Sequence, residues 1–150
     1  MTELFLRVAK KAFRFLIDEF QCRLTSKKSD AWGAELTYQN DTTAVNVRYE
    51  PREQFVFVLL CRLINGKMPA YDSFDSFGLS DLLTLRAPEL KIRKRSAPER
   101  FTENDLRHMV ITFARGVRGH ATDILHGDFS IFPELEKIVK RRAEEFQKGK

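Results

Sequence analysis

The sequence predicts an α+β fold with an N-terminal helix, a four-stranded antiparallel β-meander and three C-terminal helices packed on one sheet face. Apolar residues recur at helical spacing over the first 20 residues and again after residue 101. Between them, residues 22–64 contain segments in which apolar and polar residues alternate, as in strands with one buried face. At 150 residues the chain is long enough for one ordinary domain, so we predict a single α+β domain over residues 1–150.

The first helix is predicted to run to Phe20 and to pack through one face. Lysine, arginine and acidic side chains occupy the rest of its surface. The members of its apolar stripe are Phe5, Val8, Ala12, Phe15 and Leu16.

Four strands are then predicted, around residues 22–25, 34–39, 45–50 and 55–64, with a tight turn at Asn40-Asp41. The fourth strand differs from the others because both of its faces are apolar. As the last strand of a meander it would lie at a sheet edge, where an uncovered apolar strand invites association. Either the following segment covers it, or a partner does, and a homodimer through residues 53–65 is one form of the second possibility.

The remaining chain is predicted to be helical, apart from an exposed basic loop at about residues 88–101. Ser80 is placed to cap a short helix that ends before Pro88. Thr102 and Asp105 have the spacing of a capping box for a long helix that continues to Leu125. A final helix is predicted to carry Phe132, Leu135, Ile138, Val139 and Phe146.

His126-Gly127-Asp128 is the nearest approach to a catalytic signature. The same tripeptide begins the catalytic loop of small-molecule phosphotransferases, which place a metal-binding Asn where this chain has Pro133 and which also need a Gly-rich phosphate loop. A joint between two helices explains these residues better. Gly127 would end one helix, Asp128 or Ser130 would cap the next, and Pro133 would occupy its first turn. We therefore predict no catalytic residues and no enzymatic activity.

Composition argues against several other classes. No apolar run approaches the roughly 20 residues of a membrane helix, and Arg7, Lys10 and Lys11 interrupt the apolar N-terminal segment, so a cytoplasmic protein without a membrane partner is expected. The two cysteines lack CxxC spacing, and His120 and His126 would lie about 240° apart around one helix. Neither a metal site nor a cofactor is predicted.

The residues predicted to bind a partner form two groups. Large aromatics in loops are enriched at interfaces, although the same aromatics would also serve to cover the fourth strand. The basic loop would attract an acidic protein or the phosphates of a nucleic acid, in line with the net charge of +5. The aromatic candidates are Tyr71, Phe74 and Phe77, and the basic candidates are Lys91, Arg93, Lys94, Arg95 and Arg100.

Three segments carry a resemblance to known proteins: FLIDEF from Phe15 to Phe20, VNVRYEPREQFVFV, and ILHGDFSIFPELEKIVKRR near the C-terminus. The chain resembles a group of small bacterial α+β proteins that includes immunity and accessory proteins encoded beside toxins. This resemblance implies a non-enzymatic, cytosolic protein-binding module, with an immunity-type inhibitor that occludes the surface of a toxin as its specific form. The alternative is a nucleic-acid-associated accessory protein that binds the phosphate backbone through its basic surface.

Overall fold

A computed structural model describes residues 1–70, 73–90 and 100–149. Its five strands form one antiparallel sheet in the order β1-β2-β3-β4-β5. The strands are β1 Arg23–Asp30, β2 Gly33–Gln39, β3 Thr43–Glu50, β4 Phe55–Arg62 and β5 Ser76–Gly78. The α-helices are α1 Thr2–Ala12, α2 Phe15–Phe20, α3 Leu79–Arg86, α4 Glu103–His120, α5 Thr122–Leu125 and α6 Phe132–Lys148, and a 3₁₀ turn spans Pro88–Leu90.

The sheet confirms the antiparallel meander but has one strand more than predicted. Leu59 pairs with Gly78 and Cys61 pairs with Ser76, so β5 continues the sheet beyond β4. The extra strand supplies hydrogen-bonding partners to the second half of β4, which the sequence places at an edge. Three residues are too few to show an alternating pattern, and this is why the sequence predicts only four strands.

The hydrophobic core lies between one face of the sheet and α1, α3 and α4. On β4, Val56, Val58 and Leu60 face the helices and are buried, whereas Phe57 and Leu59 point to the opposite face and are half-buried. The remaining long helix, α6, packs against α3 and, through Phe132, against the ring of Phe77 on β5. The prediction of helices on one sheet face therefore applies to α1, α3 and α4, while α6 packs mainly on other helices.

The predicted N-terminal helix is divided into α1 and α2 at Phe13 and Arg14. Phe13 is fully buried, and its backbone N–H still bonds the carbonyl of Ala9. The bend turns α2 so that Phe15 and Leu16 enter the core, while Val8 and Ala12 on α1 stay half-buried.

The long C-terminal helix is also divided, since α4 ends at His120 and the short α5 follows Ala121. Arg86, at the end of α3, stabilises this break. Its Nη1 donates to the carbonyl of His120 at 2.6 Å, and its guanidinium binds both carboxylate oxygens of Asp123 at 2.7 and 2.8 Å. The capping box at the start of α4 is confirmed, because the Thr102 hydroxyl accepts from the Asp105 N–H and the Asp105 carboxylate accepts from the Thr102 N–H.

The His-Gly-Asp segment is the predicted joint between helices. Gly127 has φ +89°, and its N–H bonds the carbonyl of Ile124 at the end of α5. Asp128 accepts from the Ser130 N–H at 3.0 Å and so forms the turn, but the residue that precedes α6 is Ile131, which makes no side-chain cap. Capping of α6 by Asp128 or Ser130 is therefore wrong, whereas Pro133 does occupy the first turn. Within the described ranges, no helix combines the length and apolar character required to span a membrane.

Candidate binding groove between α1 and α4

The predicted partner-binding residues do not form one described surface. Phe77 is only 3% exposed and its ring centroid lies 4.8 Å from that of Phe132, so Phe77 is a core residue rather than an accessible anchor. Phe74 is 41% exposed, with Lys140 Nζ 5.2 Å from its ring centroid, and Arg100 is exposed. The other candidates, Tyr71, Lys91, Arg93, Lys94 and Arg95, lie outside the described residues.

A different feature, the groove between α1 and α4, brings cationic and apolar side chains together. The two helices run in the same direction. Near their first turns, the ring centroid of Tyr49 lies 5.7 Å from that of Phe5 and 6.5 Å from that of Phe101. Near their far ends, the Arg118 guanidinium lies 5.7 Å from the Phe15 ring. The groove follows the second half of α1, from Arg7 to Ala12, and α4 from Arg107 to Arg118.

The floor of the groove is apolar. It lines a cavity of about 540 Å³, and two of its residues, Ala12 and Ala114, have small side chains that fill little of this space. Ile111 is the most accessible floor residue, with 41% of its surface exposed. The residues of the floor are Val8, Ala12, Phe15, Ile111 and Ala114.

The rim of the groove is cationic on both sides. Arg118 is paired with Glu19 at 2.7 Å, and Arg107 contacts the side-chain oxygen of Asn104 at 3.4 Å. Arg7, Lys11 and Arg115 form no ion pair with any residue of the described ranges. Because Asn104 is neutral, Arg107 also has no ion pair among the described residues, and four such charges close to one apolar floor create a positive potential that attracts an anionic ligand more strongly than dispersed charges do.

The cationic surface continues across α1 to the edge strand β1. There, the side-chain hydrogen bond with Lys27, together with repulsion between the two charges, lowers the pKa of Lys10.

Trp32, at the tip of the β1–β2 hairpin, is an exposed aromatic that the sequence reasoning did not consider. It is 67% exposed, and the Arg52 guanidinium lies 4.6 Å from its ring centroid. Asp30 fixes the turn by accepting from the Trp32 N–H at 2.7 Å, and Gly33 follows with φ +146°. A lone Trp followed by Gly between two alternating segments is a signal that could have identified this tip.

The acidic side chains near the helix joint are engaged in structure. The hydrogen bond from Arg86 is the main cause of the lowered pKa of Asp123, and the Ser130 side chain and N–H lower the pKa of Asp128. The His126 ring is exposed and lies 5.2 Å from the ring of Phe20, which places it against an aromatic side chain instead of a helix end. No cluster of three or more potential metal ligands occurs in the part of the chain that the structure describes.

Comparison with known proteins gave no relative: no protein-family model, curated protein or solved structure matches the chain. Function is therefore inferred from the geometry of the groove and from the residues that form it.

Proposed function

We propose that the protein is a non-enzymatic binding protein whose α1–α4 groove holds an acidic segment of a partner protein. The observation that carries this proposal is the combination of Arg7, Lys11 and Arg115, which lack ion pairs among the described residues, with the open apolar floor beside Ile111. Charged groups at a rim steer an oppositely charged partner, and an apolar centre supplies most of the contact free energy.

The apolar floor favours a protein ligand over a nucleic acid. Phosphate binding requires positive charge, hydrogen-bond donors and little else, so a floor of apolar side chains contributes nothing to the binding of a phosphate backbone. Two cations of α6 that would extend a nucleic-acid surface already have acidic partners: Lys140 lies 3.5 Å from Glu136, and Arg142 is paired with Asp81. A polypeptide that carries both acidic and apolar side chains matches the rim and the floor together.

For an immunity-type protein, the partner would be a toxin with an acidic surface, and inhibition would follow from occlusion of that surface. We place this activity in the cytoplasm, because Cys22 and Cys61 are both buried free thiols, which suit a reducing compartment. A toxin gene beside the gene for this chain, together with growth rescue on co-expression, would support this specific form of the proposal.

The proposal can be tested with three anionic probes: polyglutamate, a random copolymer of glutamate and tyrosine, and a non-specific DNA duplex. Binding is measured by fluorescence anisotropy over a range of salt concentrations. We expect the copolymer to bind most tightly, because only the copolymer offers aromatic side chains to the floor. The triple variant R7E/K11E/R115E should lose this binding, whereas R141E, a charge reversal on the exposed surface of α6, should retain it.

Two results would refute the proposal. Tighter binding of the duplex than of the copolymer, with an affinity that falls steeply with salt, would favour the nucleic-acid alternative. Absence of binding to all three probes at low salt, or equal binding by the wild type and the triple variant, would show that the groove is not an anion-binding surface.

A further inference from the structure

The groove also restricts the backbone conformation of its ligand. Its walls are α-helices, whose backbone N–H and C=O groups are already bonded within each helix. An extended segment lying on this floor would find no strand edge to pair with, and unpaired backbone groups cost free energy when they are buried. A helical segment bonds its own backbone and needs to present only side chains.

The dimensions of the groove suit a helix of about three turns. On α4 the lining residues run from Arg107 to Arg118, which at about 1.5 Å per residue corresponds to roughly 16 Å. Val8 and Ala12 lie one turn apart on the same face of α1, and Phe15, the first residue of α2, continues the floor. Two neighbouring helices whose facing surfaces include small residues offer a shallow channel into which a row of side chains from a third helix can pack.

The charges restrict the sequence of that helix. Arg7 and Lys11 line one side of the floor, and Arg115 and Arg118 line the other. A ligand helix seated between them would therefore need acidic residues on both sides of its apolar stripe. We infer that the ligand of the groove is an amphipathic α-helix of about three turns, with an apolar stripe flanked on both sides by Asp or Glu. This inference rests on the proposed function and adds the conformation and the pattern of the partner segment.

A pair of synthetic peptides tests the inference. Both contain the same numbers of Leu, Glu and Ala residues. In the first, Leu recurs at positions i, i+3, i+4 and i+7 with Glu on both flanks, and in the second the order is scrambled so that no stripe forms. Binding is followed by fluorescence anisotropy, and the helix content of the peptide by circular dichroism. We expect the patterned peptide to bind at least about tenfold more tightly and to gain helix on binding.

Two single variants locate the binding site. Both Ile111 and Arg115 are exposed in the free protein, so I111E and R115E should fold normally. Each should weaken the patterned peptide by about tenfold or more, because I111E places an acid on the floor and R115E reverses a rim charge. R141E serves as the matched control and should bind like the wild type.

The results separate the two proposals. Equal binding of both peptides, without helix gain but with loss in R115E, would overturn the helix inference while leaving an anion-binding groove intact. If neither peptide binds, or if R115E has no effect on either peptide, both the helix inference and the proposed function are overturned.

Discussion

Replacement of Gly127 by Ala tests whether the His-Gly-Asp segment is a joint between helices. Gly127 has φ +89°, a conformation that costs an L-residue about 1–2 kcal/mol. An added Cβ would lie 3.1 Å from Thr42 Cγ2 and 3.2 Å from Thr42 Oγ1. The Thr42 hydroxyl is held by Asn40 at 3.3 Å and by Thr43 at 3.0 Å, so it cannot withdraw freely. We expect G127A to lower the free energy of unfolding by about 1–3 kcal/mol, the range for local backbone strain.

Gly119 provides a matched control on the same segment of chain. It lies within α4 and is exposed, and a Cβ added to it would meet no atom within 4 Å. Because alanine favours helix over glycine by about 1 kcal/mol, G119A should stabilise the protein. Replacement of glycine by alanine is thus expected to raise the stability of the protein at position 119 and to lower it at position 127, eight residues away.

Urea unfolding followed by circular dichroism measures both variants, and thermal unfolding gives an independent check. For a chain of this size, a loss of about 1–3 kcal/mol corresponds to a fall in Tm of roughly 3–10 °C. If G127A were as stable as the wild type, or as stable as G119A, the left-handed joint would be refuted and the role of the tripeptide would have to be sought elsewhere.

Three further predictions concern the core, the helix break and the thiols. F77A should lower the free energy of unfolding by about 3–5 kcal/mol, the range for truncation of a buried aromatic side chain. An unchanged Tm on thermal unfolding would show that Phe77 does not contribute to the core. The hydrogen bond from Arg86 lowers the pKa of Asp123 below its ordinary value of 3.8, so the ionised Asp123 stabilises the protein at neutral pH, and this stabilisation is lost as the pH falls through the lowered pKa. In urea titrations, the difference in unfolding free energy between the wild type and D123N should therefore shrink on acidification. A difference that stays constant with pH would contradict this prediction. Burial raises the pKa of Cys22 to about 11 and also raises the pKa of Cys61. Both thiols should therefore react slowly with Ellman's reagent at pH 8 until urea unfolds the chain. Rapid labelling of the native protein would show that at least one of the two thiols is accessible to the reagent.

The parts of the fold that sequence patterns predict are those decided by neighbouring residues. Leu36 and Tyr38 on β2, and Val45 and Val47 on β3, alternate with polar residues because their side chains belong to the sheet face that joins the hydrophobic core. The Thr102 capping box is equally local, since both of its hydrogen bonds connect residues three apart.

The parts that the sequence does not predict depend on residues far apart in the chain. The end of α4 at His120 is stabilised by Arg86, which lies 34 residues earlier on another helix. The short strand β5 exists because it pairs with β4, and its three residues carry no pattern of their own. In both cases the deciding interaction is tertiary, and periodicity within a window cannot show it.

The groove was missed for a related reason. Val8 and Ala12 belong to the apolar stripe of α1, and Ala114 lies among core residues of α4, so each has the pattern of an ordinary buried position. Only the packing of α1 against α4 brings these residues to the lining of one open cavity. Likewise the sequence does not show that Arg115 lies near Arg7 and Lys11, because these two residues come more than a hundred residues earlier in the chain.

The two parts of the groove act at different stages of binding. The rim charges of Arg7, Lys11 and Arg115 act over a distance of about 8 Å at physiological salt, so they mainly raise the rate of encounter with an acidic partner. The floor around Ile111 acts only on contact, when water leaves the apolar surface, so it mainly slows dissociation. A surface with charge alone would collect many anionic molecules briefly, and an apolar floor alone would bind without selection for charge. Their combination favours a partner that is both acidic and apolar along one face.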